Sequence, residues 1–223
     1  MKLETSSLLD LEYTIAADLF KDVVYPWQVL DKISDFILDL GATLPDTEYE
    51  RRGEDIWVAR DAVVFGSAYI KGPCIIDHEA EIRQCAFIRG SALVGKKAVV
   101  GNSTELKNVL LFDGVQAPHY NYVGDSILGH KAHMGAGSIT SNVKSDKKLV
   151  IVKNGAERIE TGRKKVGAVL GDFVEIGCGS VLNPGSVIGR NSSVYPLSSV
   201  RGCVPENSIY KAADNIAAKN SDN

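Results

Sequence analysis

The sequence predicts a mostly β protein built as a parallel β-helix of hexapeptide repeats, and three observations predict it. First, residues 58 to 106 repeat every six: Val58, Val64, Ile70, Ile76, Ile82, Ile88, Val94, Val100 and Leu106 are all aliphatic. Second, four residues after each of the first eight comes a small side chain: Ala62, Ala68, Cys74, Ala80, Ala86, Ala92, Ala98 and Thr104. Third, the pattern returns in shifted phase. Tyr122, Leu128 and Met134 carry Ser126, Ala132 and Ser138, and a final run holds Leu170, Ile176, Leu182, Ile188, Val194 and Val200. A helix of 3.6 residues per turn would smear a six-residue stripe around its surface. An ordinary strand alternates by two and needs no small residue at every sixth place. A three-sided coil satisfies both rows: each hexad is a short strand plus a corner, aliphatic side chains fill the prism, and small ones sit where a corner leaves no room. The repeats make about six coils, a prism on the order of 30 Å tall.

The elements follow in chain order. Residues 1–50 form an N-terminal helical segment of one or two helices: Trp27, Leu30, Ile33, Ile37 and Leu40 recur at helical spacing, with Pro26 suited to a first turn and Gly41 to an end. Residues 51–207 form the β-helix, interrupted twice. Residues 107–121 read as a loop containing Pro118 and His119. Residues 141–168 read as an inserted β-hairpin, because Leu149–Val152 and Ala156–Glu160 flank Asn154-Gly155, a strong two-residue turn signal. Residues 208–223, small and polar, read as a frayed or weakly helical tail.

Composition excludes several functions. Among 223 residues, 25 Lys+Arg against 28 Asp+Glu give a net charge of −3, without the basic excess of a general nucleic-acid binder. Hydrophobic residues at 44% exclude an acidic disordered chain. The start lacks the basic, then apolar, pattern of a signal peptide, and no apolar run approaches the roughly 18 residues of a membrane span. Cys74, Cys85, Cys178 and Cys203 form no CxxC pair and read as free thiols of a cytoplasmic protein. A β-helix can hold a three-histidine zinc site between subunits, but His130 and His133 are three apart and point in different directions on a coil, so no metal is expected.

Coil stacking places residues eighteen apart above one another. Lys71, Arg89 and Lys107 are so spaced, each directly after a core aliphatic and therefore pointing outward. Like charges stacked across paired strands repel. Either the side chains splay into water, or Arg89 and Lys107 share a phosphate, a fork donor beside a point charge. Glu105 lies two residues before Lys107. His119, with Tyr120, Asn121 and Tyr122, is a candidate general base; on local sequence alone a structural role is equally open.

These residues carry a family resemblance. The stretch Arg89-Gly90, then Val100-Gly101-Asn102-Ser103-Thr104-Glu105-Leu106-Lys107, His119-Tyr120-Asn121-Tyr122-Val123-Gly124-Asp125-Ser126 and Met134-Gly135-Ala136-Gly137-Ser138-Ile139-Thr140-Ser141-Asn142 resembles hexapeptide-repeat acyltransferases. The likeness is to the glucosamine-1-phosphate N-acetyltransferase domain of bifunctional UDP-N-acetylglucosamine synthesising enzymes. Glu160-Thr161-Gly162-Arg163-Lys164-Lys165, Gly167 and Leu170-Gly171-Asp172 are similar to the archaeal-type sugar-1-phosphate nucleotidyltransferase/acetyltransferases. The match covers about 85–210.

The resemblance implies a left-handed β-helix, a homotrimer, and acetyl-CoA as co-substrate with no metal. It implies Arg89 and Lys107 as phosphate ligands, His119 as catalytic base with Glu105 as its partner, and Tyr122 and His133 as sugar contacts. It implies Ala136, Asn142, Cys178 and Pro196 along the coenzyme, with Lys211 near its phosphates, and backbone N–H groups around Gly135-Ala136-Gly137 facing the thioester oxyanion. Two positions depart from the family: His133 stands where Asn is usual, and Val143 follows Asn142 where Tyr is usual. The nucleotidyltransferase domain has no counterpart among these residues, so a separate nucleotidyltransferase is a candidate partner. The activity implied is acetylation of an amino-sugar phosphate, first glucosamine-1-phosphate. The alternatives are another amino sugar (galactosamine-1-phosphate or a nucleotide-linked one) and a catalytically silent sugar-nucleotide-binding subunit.

Overall fold

The computed structural model describes residues 1–219 and is a three-sided parallel β-solenoid with one side clad by other elements. Residues eighteen apart do stack: Cys74 lies between Ile56 and Ala92, and Ile88 between Ile70 and Leu106. Each coil runs through side one (as Cys74–Ile76), side two (Glu81–Ile82) and side three (Phe87–Ile88), with a corner after each. Residues past the corners take left-handed backbone at a six-residue spacing, as at Glu79, Cys85, Ser91, Lys97 and Ser103. None is β-branched, which suits a region where branching at Cβ is costly. Both predicted rows face inward: Ile82, Ile88, Val94 and Val100 are fully buried, and so are Ala80, Ala92, Ala98 and Thr104.

Residues 107–121 are not a loop. Glu105–Leu111 and Gln116–His119 are strands, and they add a coil that the strict six-residue count misses. The reason is a shortened corner. Three residues separate Ile88 from Ala92, but two separate Leu106 from Val109, which pairs with Ala92. The next corner loses a residue in the same way, between Val123 and Ser126. Each loss shifts the phase, so the interior residue is Val123 and Tyr122 points outward beside Glu105. Side one consequently stacks eight strands, not six coils' worth.

Side one carries a second apolar row on its outer surface: Trp57, Ile75, Leu93, Leu110, Ile127, Val169 and Val187, all buried. The N-terminal segment covers it. Helix Ile33–Gly41 lies across the strands holding Ile75, Leu93 and Leu110, and the short turn Pro26–Val29 meets Tyr122–Leu128. Gly41 is the point of contact, since a Cβ there would sit 2.5 Å from the Trp57 ring. Burying each such outer side chain contributes about 1.5–3 kcal/mol. The hairpin Ile151–Asn154 and Glu157–Glu160 extends the cover over Ser186–Ile188 and Cys203–Val204. Its turn residues are Gly155-Ala156, one later than expected, with positive φ at Gly155 alone, as a type II′ turn requires.

Over residues 208–219 the C-terminal segment is neither frayed nor helical, and the expectation for 220–223 lies outside the described residues. Ser208–Ala212 adds a last parallel strand to side two, and Asn215–Ala218 folds back antiparallel on it, closing that edge. Tyr210 is the cause: it is buried one step beyond Val194 and continues the interior row. Among the described residues no helix is long and apolar enough to cross a membrane.

Candidate functional site

The sequence-derived residues gather at two corners. The first is the corner between sides two and three, where His119 ends its strand with an exposed side chain. The corner stacks by backbone hydrogen bonds. Tyr120 N–H donates to Asn102 O, Gly137 N–H to His119 O, Gly179 N–H to Ala136 O and Leu197 N–H to Cys178 O, each at 2.9 or 2.8 Å. His119, Ala136, Cys178 and Pro196-Leu197 therefore occupy successive coils, roughly 4.8 Å apart. Ala136, Gly137, Cys178, Gly179 and Leu197 are exposed, and a Cβ built on Gly137 would meet nothing within 4 Å. Lys211 tops the edge with its ammonium over the Tyr195 ring at 5.8 Å.

The turn that precedes side three on the fourth coil is held from inside. Asn121, buried at the small-residue position, accepts from His119 N–H at 3.1 Å and donates to Gly135 O at 2.9 Å and Ser138 O at 3.1 Å. Of the three N–H groups expected to face an oxyanion, two are occupied: Gly135 donates to Ile176 O and Gly137 to His119 O. Ala136 N–H has no partner among the described residues.

The second gathering lies on side three and its far corner. Arg89 Nη1 donates to Glu105 Oε1 at 2.8 Å. Lys107 Nζ reaches both Asp125 oxygens at 2.9 and 3.2 Å, and Asp125 also accepts from Asn108 at 3.0 Å and from Asn142. Asn142 donates in turn to Tyr122 Oη at 3.2 Å. Burial, then the Asp125 and Glu105 carboxylates, raise the Tyr122 hydroxyl pKa above its ordinary value. The neighbouring Glu105 carboxylate raises that of Arg89, keeping it charged.

Two expected placements are corrected. Glu105 pairs with Arg89, not with His119, because it stands on side three and His119 ends side two. Asn142 joins Tyr122 and Asp125 instead of the edge carrying Ala136, because it follows the side-three strand at its far end. His133 stacks over Gln116, three residues or about 10 Å along side two from His119. There it bonds Glu175 at 2.7 Å and lines an open cavity of about 760 Å³ with His130 and Tyr13. Sequence reasoning missed Asp125, Asn108 and the anchoring role of Asn121. Residue spacing hid Asp125: the shortened coil stacks Lys107 on Gly124, seventeen residues on, and Asp125 lies one position past that partner.

A family model described as the GMPPB C-terminal domain matches residues 70–179. The chain is 31% identical over 195 residues to the bifunctional sugar-1-phosphate nucleotidylyltransferase/acetyltransferase of Sulfurisphaera tokodaii, covering 85% of this chain and 48% of that protein. It is 30% identical over 204 residues to the bifunctional protein GlmU of Methanococcus maripaludis, covering 90% and 49%. The chain spans about half the length of these curated relatives. A solved hexapeptide transferase family protein from Anaplasma phagocytophilum aligns with 74% of this chain and 79% of its own, at 17% identity and a TM-score of 0.41.

Proposed function

From its kinship with one half of the bifunctional sugar-1-phosphate nucleotidylyltransferase/acetyltransferases, as a hexapeptide-repeat acyltransferase, we propose that this chain acetylates the amine of an amino-sugar phosphate, first glucosamine-1-phosphate, using acetyl-CoA. The observation that carries the reading is the exposed edge of small residues rising from His119, with two cations around the corner on side three.

An extended pantetheine arm suits that edge, where Ala136, Gly137, Cys178 and Gly179 leave room and Leu197 adds apolar surface. Lys211 offers a charge for the phosphates at its top. Arg89 and Lys107 would take the sugar phosphate; each uses part of its donor set on a carboxylate and retains further N–H groups. Tyr122, oriented by Asn142, contacts the sugar. His119, with its imidazole bonded to no described residue, takes the proton as the neutral amine attacks the thioester carbonyl. Ala136 N–H is the donor left for the oxyanion. No covalent enzyme intermediate is needed: the amine displaces the thiolate through a tetrahedral adduct, and the proton on His119 returns to the leaving sulfur.

The groove between neighbouring copies of a homotrimer would bring His133 and Glu175 of side two against side three. Another amino sugar is the second reading, favoured by the His133–Glu175 pair where the family resemblance implies a sugar contact. Free-thiol release from acetyl-CoA, measured across amino-sugar phosphates and nucleotide-linked amino sugars, tests the proposal. Release should require the amine and an anionic group, and fall about 10²–10⁴-fold in His119→Ala. No release with any amine would leave the silent-subunit reading. A monomer by light scattering at micromolar concentration would remove the shared groove.

A further inference from the structure

We infer that Asn121 is the positioning residue that fixes His119 relative to the Gly135-Ala136-Gly137 turn; this rests on the proposed acetyl transfer, in which those two elements hold the base and the thioester.

Asn121 sits in the row otherwise filled by Ala86, Thr104, Ser138 and Ser180, and it is the longest side chain there. With 2% of its surface exposed, it has no water to share. The residue touches three coils, two of them through its side-chain amide. Below, its own backbone N–H donates to Thr104 Oγ1 at 3.3 Å. At its own level its side-chain oxygen accepts from His119 N–H. Above, its two amide protons serve Gly135 O, Ser138 O and Ser138 Oγ, all within 3.2 Å. His119 is thus gripped twice, by Asn121 at its N–H and by Gly137 at its C=O. A hydroxyl in this row, as at Thr104 or Ser138, can bond one carbonyl but cannot reach both the coil above and the N–H two residues back. Only an amide provides the acceptor and the two donors at that separation. Displacing a reacting group by about 1 Å can cost about 10²-fold in rate, so losing this grip acts on the chemical step and not on substrate binding.

The test uses Asn121→Ser, which copies the hydroxyl of the neighbouring rows, and Asn121→Asp, which keeps the shape but sets an acceptor against two carbonyls. Both should lower kcat about 30- to 100-fold, with KM for each substrate changed less than threefold. The decisive comparison is Asn121→Ser combined with His119→Ala. If Asn121 acts through His119, the double variant is no slower than His119→Ala alone. Losses that multiply, or a rise in KM with unchanged kcat, overturn the inference. Amide hydrogen exchange gives a readout independent of activity: the His119 N–H should exchange at least tenfold faster in Asn121→Ser. Unchanged exchange at His119 also overturns it. Faster exchange in a protein that acetylates no amine would instead leave the grip intact and refute the proposed reaction.

Discussion

Replacing Lys107 with Met should destabilise the protein far more than replacing Arg89 with Met, although both are cations of one stacked row. The two pairs differ in burial. Asp125 is 5% exposed and Lys107 28%, whereas Arg89 and Glu105 are 48% and 30% exposed. Removing Lys107 strands a buried carboxylate on two neutral amides, Asn108 and Asn142. Breaking a buried pair from one side costs about 3–5 kcal/mol. The two amide bonds remain and the site touches water, so the lower end, about 3 kcal/mol, applies. For a chain of this length that is about 6–12 °C in Tm. Exposed pairs contribute little, and Arg89→Met should hardly move the transition. Adding Asp125→Asn to Lys107→Met removes the stranded charge and should restore about half of the lost Tm. Differential scanning calorimetry at neutral pH checks all three statements. A Lys107→Met protein melting within 2 °C of wild type at neutral pH, or a double variant less stable than the single one, would refute the reasoning.

Two further outcomes test the coil and its edge. Ala86→Leu and Ala92→Leu should each cost roughly 1–3 kcal/mol by overpacking positions that are 1% and 0% exposed; wild-type melting in both would mean that these positions are not interior. Burial pushes the Cys74 and Cys203 thiols up to about 12, while Cys85 and Cys178 are exposed, so at pH 8 a thiol reagent should label two cysteines of four within minutes. Acetyl-CoA should then protect Cys178 and not Cys85, as peptide mass mapping would show; equal labelling of Cys178 with and without the coenzyme counts against the proposed edge.

The interior of the coil was legible because it repeats under one rule, an aliphatic and a small residue in every hexad. Where that rule bends, legibility failed: one missing corner residue after Leu106 turned a coil into an apparent loop and put Tyr122 inside the prism instead of Val123. The cover on side one was written in the sequence as well, in an outer row at 57, 75, 93, 110 and 127, but a spacing of eighteen that drops to seventeen is invisible until the hexads are grouped in threes. The site was legible by residue type and not by partner. Lys107 and Arg89 were placed correctly on one outward row, yet which carboxylate each meets depends on side-chain reach across a corner. Glu105, two residues from Lys107, serves Arg89 instead, and Asp125 serves Lys107. Asn121 was visible only as a polar neighbour of His119, since nothing local says that its side chain turns inward.

The placement of these residues also bears on assembly. Side one is closed by the N-terminal segment and the hairpin, whereas His119, the edge above it, and the Arg89–Lys107 row lie on a convex corner and the two open sides that flank it. Sites that hold small molecules are concave and bury most of the ligand. A convex corner can touch a ligand from one direction only, and an amine attacking a thioester there would remain in water, where the field of His119 and Ala136 N–H is screened. The proposed reaction therefore needs a second wall. No described segment of the chain crosses sides two and three at that level, and the hairpin, the one long insertion, is committed to side one. A neighbouring copy can supply the wall with its own open side, and cyclic symmetry would repeat the match at every interface. The same argument would account for the exposed apolar side chains on the open sides, Val63 on side two and the Tyr69–Phe87 pair on side three: at the proposed interface between copies they would meet protein instead of water.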